Sequence, residues 1–181
     1  MDARFGVGAV SVSERAVSGT TTRQLLEGTD TRNRPWPAEV ATDVVLVNFG
    51  INEQRTGVSV EHYEADLTEL GRRLHMTAPH AVLVFETPNP VHRYAWASDA
   101  YAVAMRRVAI ALKTPLADVN HFLGARADWQ GLVPDGAHPA DATYLLLVRD
   151  VLMPVLVPIV VGFVARRASH PSRSAKGGVN N

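Results

Sequence analysis

The sequence has no cysteine among its 181 residues and no excess of either charge. The absence of cysteine excludes disulfide bonds and thiolate metal sites, and it leaves the redox compartment open. Eighteen basic residues balance eighteen acidic ones, so the formal net charge is zero. Because nucleic acids and anionic membranes favour basic surfaces, this balance argues against either of them as the main partner.

A secretion signal is also lacking. In the first ten residues, MDARFGVGAV, Asp2 stands where a signal has basic residues, and the apolar run is too short. The default expectation is therefore a cytoplasmic protein. At 181 residues, the chain is long enough for one domain with a sizeable core. We predict that domain over residues 1–165. The rest is polar and rich in turn formers, which predicts a disordered tail over 166–181.

One long apolar run lies near the end of the chain, VLMPVLVPIVVGFV at 151–164. As a helix this run would cover about 21 Å, which is less than the roughly 30 Å hydrocarbon core of a bilayer. Pro154 and Pro158 would also disturb such a helix. We therefore predict no transmembrane span. The expected structure is a C-terminal helix docked on the core, followed by an extended exit, and contact of this run with a membrane is the alternative.

Apolar runs and helical spacings alternate along the chain. Short valine-rich runs bounded by turn residues predict buried strands, and apolar residues spaced by three or four predict helices between them. This alternation predicts a three-layer α/β/α sandwich with a mostly parallel sheet. The predicted strands are 6–17, 43–50, 81–88 and 114–120, and the predicted helices are 21–26, 59–76, 98–112 and 141–153, with Ser59 and Asp141 as N-caps.

Polar and glycine residues follow the first two predicted strands, at the sheet edge where open α/β folds bind ligands. Gly19 stands at a strand-to-helix turn, where a missing side chain lets backbone N–H groups approach an anionic ligand. Gly50, Asn52 and Glu53 stand in a predicted loop after the second strand. An asparagine amide is a neutral donor that can stabilise an oxyanion. Taken singly, Gly19 is more typical of an ordinary turn, and Asn52 is more typical of a turn or capping residue.

A third stretch, PDGAHP, places Asp135 three residues before His138 between two prolines. A carboxylate that accepts a hydrogen bond from one ring nitrogen orients the imidazole and leaves the other nitrogen able to take a proton. This arrangement resembles the acid–base half of a serine hydrolase triad. A solvated loop histidine would explain the same stretch.

In this order and at these separations, AVSGTTTRQLL, VLVNFGINE and PDGAHP resemble three sequence blocks of the SGNH (GDSL-type) hydrolase family. The resemblance covers roughly residues 8–157 and implies a flavodoxin-like sheet. It also implies the site roles: Gly19 and Asn52 as oxyanion donors, Gly50 and Glu53 in the supporting loop, Asp135 as acid, and His138 as base.

The activity implied by the resemblance is ester hydrolysis by acyl transfer to a serine, with no metal or organic cofactor. The implied partner is a small-molecule or carbohydrate ester, and simple esters, acetylated sugars and thioesters all remain possible. The sequence does not indicate an oligomeric state.

The sequence departs from the family pattern most clearly at the nucleophile. No Gly-Asp-Ser block precedes Gly19, so no nucleophile is identified and the family's first strand is missing. Ser11 and Ser13 fall inside a predicted strand, whereas Ser18 at least lies at the correct rim. Two arrangements remain open: a truncated form of a longer enzyme, or ARFGVGAV in the vacant central position. A milder departure is Glu53, where the family usually has aspartate.

Two other functions fit parts of the sequence. The missing serine block would suit a catalytically inactive remnant of the fold or a small-molecule binding module. The stretch GVGA at 6–9 suggests a flavodoxin-like nucleotide binder. That stretch lacks the third glycine of a dinucleotide-binding motif, and it opens a predicted strand instead of following one.

Overall fold

A computed structural model describes residues 8–33, 36–37 and 39–169 of the chain, with side chains described as far as Arg166. The strands are β1 (Val44–Asn48), β2 (Val82–Glu86) and β3 (Leu116–Ala117). The α-helices are α1 (Thr22–Glu27), α2 (Ile51–Thr56), α3 (Val60–Thr77), α4 (Ala100–Ala111), α5 (Val119–Gly124), α6 (Trp129–Leu132), α7 (Asp141–Leu147) and α8 (Met153–Ser169), and a π-helical segment, Val148–Leu152, joins the last two.

The three strands form a parallel sheet in the order β1-β2-β3. β1 pairs with β2 over its whole length, whereas β3 contributes only two residues. The predicted strand 114–120 is therefore too long. Its second half is wrong because the side chain of Asp118 accepts a hydrogen bond from the His121 N–H and so begins α5.

The predicted strand over 6–17 is also wrong where the structure describes it, because residues 8–17 pair with no strand of the described chain. Residues 6 and 7 lie outside the described range. A high valine content favours a strand only when a neighbour supplies hydrogen bonds and a packing surface. Here Val12 is 90% exposed. The outer edge of β1 pairs with no described strand, and its Leu46 is 43% exposed.

The main core lies between one face of the sheet and helices α3 and α4. Val47 and Phe85 face this core from the sheet. The α3 side chains that meet them follow the predicted helical spacing, and Ser59 caps the helix as predicted by accepting from the His62 N–H. The core also contains the side chains Tyr63, Leu67, Leu70, Met105 and Val108, all 2% exposed or less.

A second, smaller cluster joins the end of β3 to the helices that follow it. It consists of the side chains Ala117, Val119, Leu123, Val133, Leu147 and Val151. The predicted α/β fold with helices packed around a parallel sheet is thereby confirmed. Because the sheet is parallel, the carboxyl ends of all three strands lie at one edge, where the candidate site is found.

The C-terminal helix differs from the prediction in start, length and exposure. Ala140 is the N-cap and Asp141 already lies in the first turn. The helix passes residue 153 and continues to Ser169, so residues 166–169 are helical, whereas 170–181 lie outside the described range.

The π-helical segment explains how the helix passes Pro154. A proline has no N–H, and its ring collides with the carbonyl of the residue four positions earlier, so a wider turn just before it relieves the clash. Most of this helix is not docked on the core. It is the one helix of the described residues that is long and apolar enough, by length and composition, to cross a membrane, and 11% of its most apolar window is buried.

Candidate active site

Glu53 holds together the two loops at the carboxyl end of β1. Its side chain is 1% exposed. One carboxylate oxygen accepts from the Thr22 N–H at 2.6 Å and from the Thr22 hydroxyl at 2.8 Å, and the other accepts from the Gly50 N–H at 2.8 Å. The bond from the Gly50 N–H to the Glu53 side chain is one half of a capping box at the start of α2, since glycine has no side chain to supply the other half. The carboxylate therefore fixes the N-termini of α1 and α2 against each other.

Gly50 is required at its position for two reasons. Its φ of +120° is a conformation that residues with a Cβ rarely adopt. A Cβ atom would also lie 2.8 Å from Pro88 Cγ and 3.1 Å from the Tyr63 hydroxyl. The same turn is held by the Tyr63 hydroxyl, which donates to the Phe49 carbonyl at 3.0 Å, and burial raises the pKa of Tyr63 well above its usual value.

The structure brings Gly19 and Asn52 together as neighbours. The Asn52 side-chain amide donates to the carbonyl of Thr20, the residue after Gly19, at 3.0 Å. A primary amide has two N–H groups, so a second donor remains on Asn52. Gly19 adopts φ +78° at an exposed turn, and a Cβ there would meet nothing closer than Arg55 Nη2 at 3.9 Å. Conformation, not crowding, therefore favours glycine at this turn.

The sequence predicted a loop for Asn52 and Glu53, and this is wrong, because both residues lie in the first turn of α2. Six residues are too few to show helical periodicity in a sequence. The turn is stabilised instead by the Glu53 carboxylate at its start and by Gly57 in a left-handed C-cap.

Asp135 and His138 form the oriented pair that the sequence predicts. Asp135 Oδ2 lies 2.7 Å from His138 Nδ1. The other carboxylate oxygen accepts from the backbone N–H groups of Ala137 at 2.8 Å and His138 at 2.7 Å. The hydrogen bonds from the His138 N–H, the Ala137 N–H and the His138 ring, in that order of size, hold the pKa of Asp135 well below its usual range. The carboxylate thus stays ionised while it orients the imidazole.

Gly136, between the two members of this pair, is a residue that motif reasoning missed. Its φ is +90°, and a Cβ would lie 2.5 Å from the His92 carbonyl oxygen. Only glycine allows the segment around His138 to approach the β2–α4 loop so closely.

The β2–α4 loop, residues 87–99, contacts both parts of the candidate site. Towards the histidine, Asn89 Nδ2 donates to the Ala137 carbonyl at 2.9 Å, and the Tyr94 hydroxyl donates to the Asp135 carbonyl at 3.1 Å. Towards the glycine–asparagine part, the Ser98 N–H donates to Gln54 Oε1 at 3.0 Å. One loop therefore holds the helix of Asn52 and the segment of His138 at the same edge of the sheet.

A polar network fixes the start of this loop. The Thr87 hydroxyl donates to Asp118 and accepts from the Asn120 N–H at 2.9 Å. Arg106 forms a two-pronged ion pair with Asp118 at 2.8 Å and also donates to Asn120 at 2.9 Å. No sequence motif marks these residues, because they lie on three separate elements. Their role is to hold the β2 and β3 ends in register.

Glu86, the last residue of β2, is a carboxyl group at the same sheet edge. Burial raises its pKa to about 7. Its charge also contributes, after burial, to raising the pKa of Tyr144, as do the nearby charges of Asp135 and Asp141. Glu86 therefore lies close enough to the site for its charge to affect the pKa of Tyr144, which the charge of Asp135 also affects.

No described hydroxyl is hydrogen-bonded to the ring of His138, whose partner in the described chain is Asp135. The side chains of His138 and Asp135 are 73% and 55% exposed. Ser11, Ser13 and Ser18, the serines considered from the sequence, are all exposed. Among the described residues, no three histidine, aspartate or glutamate side chains lie close enough to share a metal ion.

Comparison with known proteins identifies the family and supports the fold. The sequence model of the GDSL-like lipase/acylhydrolase family matches residues 1–146. A crystal structure of a GDSL-like lipase from Parabacteroides merdae superposes with a TM-score of 0.59 at 21% identity, covering 75% of this chain and 68% of that one. The acetylxylan esterase Axe2 from Geobacillus stearothermophilus superposes with a TM-score of 0.56 at 19% identity, covering 79% and 68%. No curated protein sequence matches significantly.

Proposed function

Because the chain belongs to the GDSL-like lipase/acylhydrolase family, we propose that it hydrolyses carboxylic esters, with His138 as the general base. The observation that carries this proposal is the Asp135–His138 pair. Nδ1 faces an ionised carboxylate at 2.7 Å, and the rest of the ring is open to solvent. This arrangement fixes the tautomer in which Nε2 can accept a proton.

The proposed reaction is acyl transfer to a serine hydroxyl. Nε2 of His138 takes the hydroxyl proton while the oxygen attacks the ester carbonyl, and the carbonyl electrons move onto the oxygen. The N–H of Gly19 and the Asn52 amide would stabilise that oxyanion. On collapse, the leaving alkoxide departs with the proton from His138, and water then releases the acyl group by the same steps. The described residues do not place a serine hydroxyl within hydrogen-bond distance of His138.

For the substrate, we propose a small acyl group esterified to a sugar or another small alcohol. The exposed histidine supports an open site that admits a bulky alcohol portion. The two structural relatives named above, a GDSL-like lipase and an acetylxylan esterase, are consistent with ester substrates in general. At 19–21% identity these relatives show the fold alone, so the acyl and alcohol portions must be tested directly.

The first test is turnover of p-nitrophenyl acetate by the purified chain. His138→Ala should lower kcat/KM by about 10³-fold or more, because the base is lost. His80→Ala is the matched control, since His80 is an exposed histidine just before the amino end of β2, at the opposite sheet edge. Equal loss in both variants, or no loss in either, would contradict the role of His138.

The second test identifies the nucleophile. A fluorophosphonate should add covalently to one serine of the active chain, and peptide mass spectrometry would show which. The addition should be slowed strongly by His138→Ala and hardly at all by His80→Ala. Labelling of several serines at equal rates in all three proteins would show non-specific chemistry and oppose the acyl-transfer mechanism.

A second candidate function is non-catalytic binding of a small ester. It is favoured by the absence of a hydroxyl hydrogen-bonded to His138 among the described residues. A folded chain that neither turns over nor is labelled, yet binds acetylated xylo-oligosaccharide by calorimetry, would support this alternative. Loss of that binding in Asn52→Ala would place the ligand at the same site.

A further inference from the structure

An apolar stripe on α8 has no protein surface against it in the described structure. Pro154, Pro158, Val161 and Ala165 recur at intervals of four, three and four residues, and all four are exposed. This spacing places them on one side of the helix. Val161 is 42% exposed, and Val164, beside the stripe, is 50% exposed. Exposed apolar stripes of this kind are unfavourable in water and mark interaction surfaces.

The charges of the chain are distributed unevenly around this stripe. All 18 acidic residues and 14 of the 18 basic residues precede residue 151. From residue 151 onward there is no acidic residue, and the four charged residues are Arg166, Arg167, Arg173 and Lys176. The zero net charge of the whole chain therefore conceals a purely basic end. An apolar segment followed directly by basic residues complements a lipid surface with anionic headgroups.

The length of the uncharged segment limits how it can meet a bilayer. Between Asp150 and Arg166 lie 15 uncharged residues, which span about 22 Å as a helix. That is less than the roughly 30 Å hydrocarbon core, so the charged groups at the two ends reach the same headgroup layer more easily than opposite ones. On the side of α8 away from the stripe, Leu156, Val160 and Phe163 are half-buried, whereas the stripe residues are exposed. The helix therefore has a protein-facing side and a free side.

We propose that α8 lies in the surface of an anionic bilayer. The stripe of Pro154, Pro158, Val161 and Ala165 enters the acyl-chain region, and the arginines at the end of the helix contact lipid phosphates. The chain would then bind the membrane from one side without crossing it. This proposal is independent of the proposed esterase activity, because it uses no residue of the candidate active site.

The test is flotation of the full chain with vesicles of phosphatidylcholine, alone or mixed with phosphatidylglycerol. The chain should float with the mixed vesicles and much less with the neutral ones. The double variant Val161→Asp/Val164→Asp should reduce flotation by about tenfold or more, because aspartate is strongly disfavoured among acyl chains. The matched control is Ile110→Asp, which changes an exposed apolar residue of α4, 78% exposed, in the same way.

A second pair of changes tests the basic end. Arg166→Gln/Arg167→Gln should lower flotation with the mixed vesicles by about tenfold, since each basic residue near an anionic surface strengthens binding several-fold. Circular dichroism of every variant must show that the fold is retained. Val161, Val164 and Arg166 are exposed, and the Ile110→Asp control reports any general effect of a new aspartate.

Three results would overturn the proposal. One is equal flotation of the starting chain and of Val161→Asp/Val164→Asp. Another is equal binding to neutral and anionic vesicles, since the basic end would then have no part. The third is a stable dimer, measured by light scattering, that Val161→Asp/Val164→Asp dissociates while the starting chain fails to float. In that case a second copy of the chain would cover the stripe.

Discussion

The two parts of the candidate site are built in opposite ways. Around Gly19 and Asn52, the backbone is fixed by Glu53, a carboxylate that is 1% exposed and accepts three hydrogen bonds. Around His138, the pair is held by a carboxylate that is 55% exposed, and the ring itself is 73% exposed. The first part is held by a buried carboxylate that joins two loops. The second is a surface loop whose carboxylate accepts hydrogen bonds from the loop's own backbone.

This difference predicts whether a mutation in each part changes mainly the stability of the fold or mainly the catalytic rate. Replacing a buried carboxylate leaves its hydrogen-bond donors without an acceptor and destabilises the whole fold. An exposed carboxylate can be replaced with little effect on folding. We therefore expect changes at Glu53 to appear in stability. Changes at Asp135 should appear in catalysis. Three experiments test this contrast.

The largest effect is expected on activity from Asp135→Asn. With the asparagine oxygen kept on the backbone N–H groups, the NH2 group faces Nδ1 and can only donate to it. The ring is then held in the tautomer protonated at Nε2, and kcat should fall by about 10³–10⁴-fold. The urea midpoint should hardly change, because the asparagine oxygen can still accept from the Ala137 and His138 N–H groups. Asp128→Asn, at an aspartate that is 67% exposed, is the control. If the Asp135 variant keeps more than about a tenth of the starting rate, the pair has no triad role.

The next effect is expected on stability from Glu53→Gln. The new amide keeps the side-chain shape but turns one acceptor into a donor that faces a backbone N–H. The free energy of unfolding should fall by about 2–3 kcal/mol, the cost of burying an unsatisfied polar group. Glu61→Gln, at an exposed residue in the first turn of α3, should lower the urea midpoint much less. Equal midpoints for both variants would mean that Glu53 does not clamp the two loops.

The smallest effect is a pH dependence from Glu86, which lies between the two parts of the site. Its pKa is raised to about 7 in the folded chain, so between the usual carboxyl pKa and pH 7 the folded state holds a proton that the unfolded state has lost. The stability it contributes is present at low pH and falls as pH rises to 7. From pH 5 to 8, the loss should be about 2 kcal/mol greater for the starting chain than for Glu86→Gln. If the free energy of unfolding from urea titrations changes with pH to the same extent in both proteins, the pKa of Glu86 is not raised by burial.

The sequence predicted most elements of the fold but not their limits. β1 and β2 were found from short valine-rich runs, and α3 and α4 from apolar residues spaced by three or four, because both patterns reflect packing between the sheet and the helices. The strand over residues 8–17 was predicted wrongly because strand formation depends on a neighbour that local valine content does not reveal. The end of the C-terminal helix was missed because Pro154 is tolerated there by a widened turn, which depends on backbone geometry and has no sequence signature.

The candidate site was predictable where motifs are short and local. The spacing of Asp135 and His138 was enough to predict the pair. The proximity of Gly19 to Asn52 followed from their similarity to family blocks, and the Asn52 bond to Thr20 supports it. The contacts made by Thr22, Gln54 and Gly136 could not be predicted, because each connects segments far apart in the chain and depends on how the loops pack.

The open edge of β1 also bears on how the protein behaves in a concentrated solution. On that edge, the backbone donors and acceptors of Val44–Asn48 pair with no described strand, and an exposed Leu46 lies in the middle of the strand. An unprotected strand edge of this type is a template for pairing between molecules. We therefore expect purified samples to form β-rich fibrils on ageing, and a lysine at position 46 to delay them.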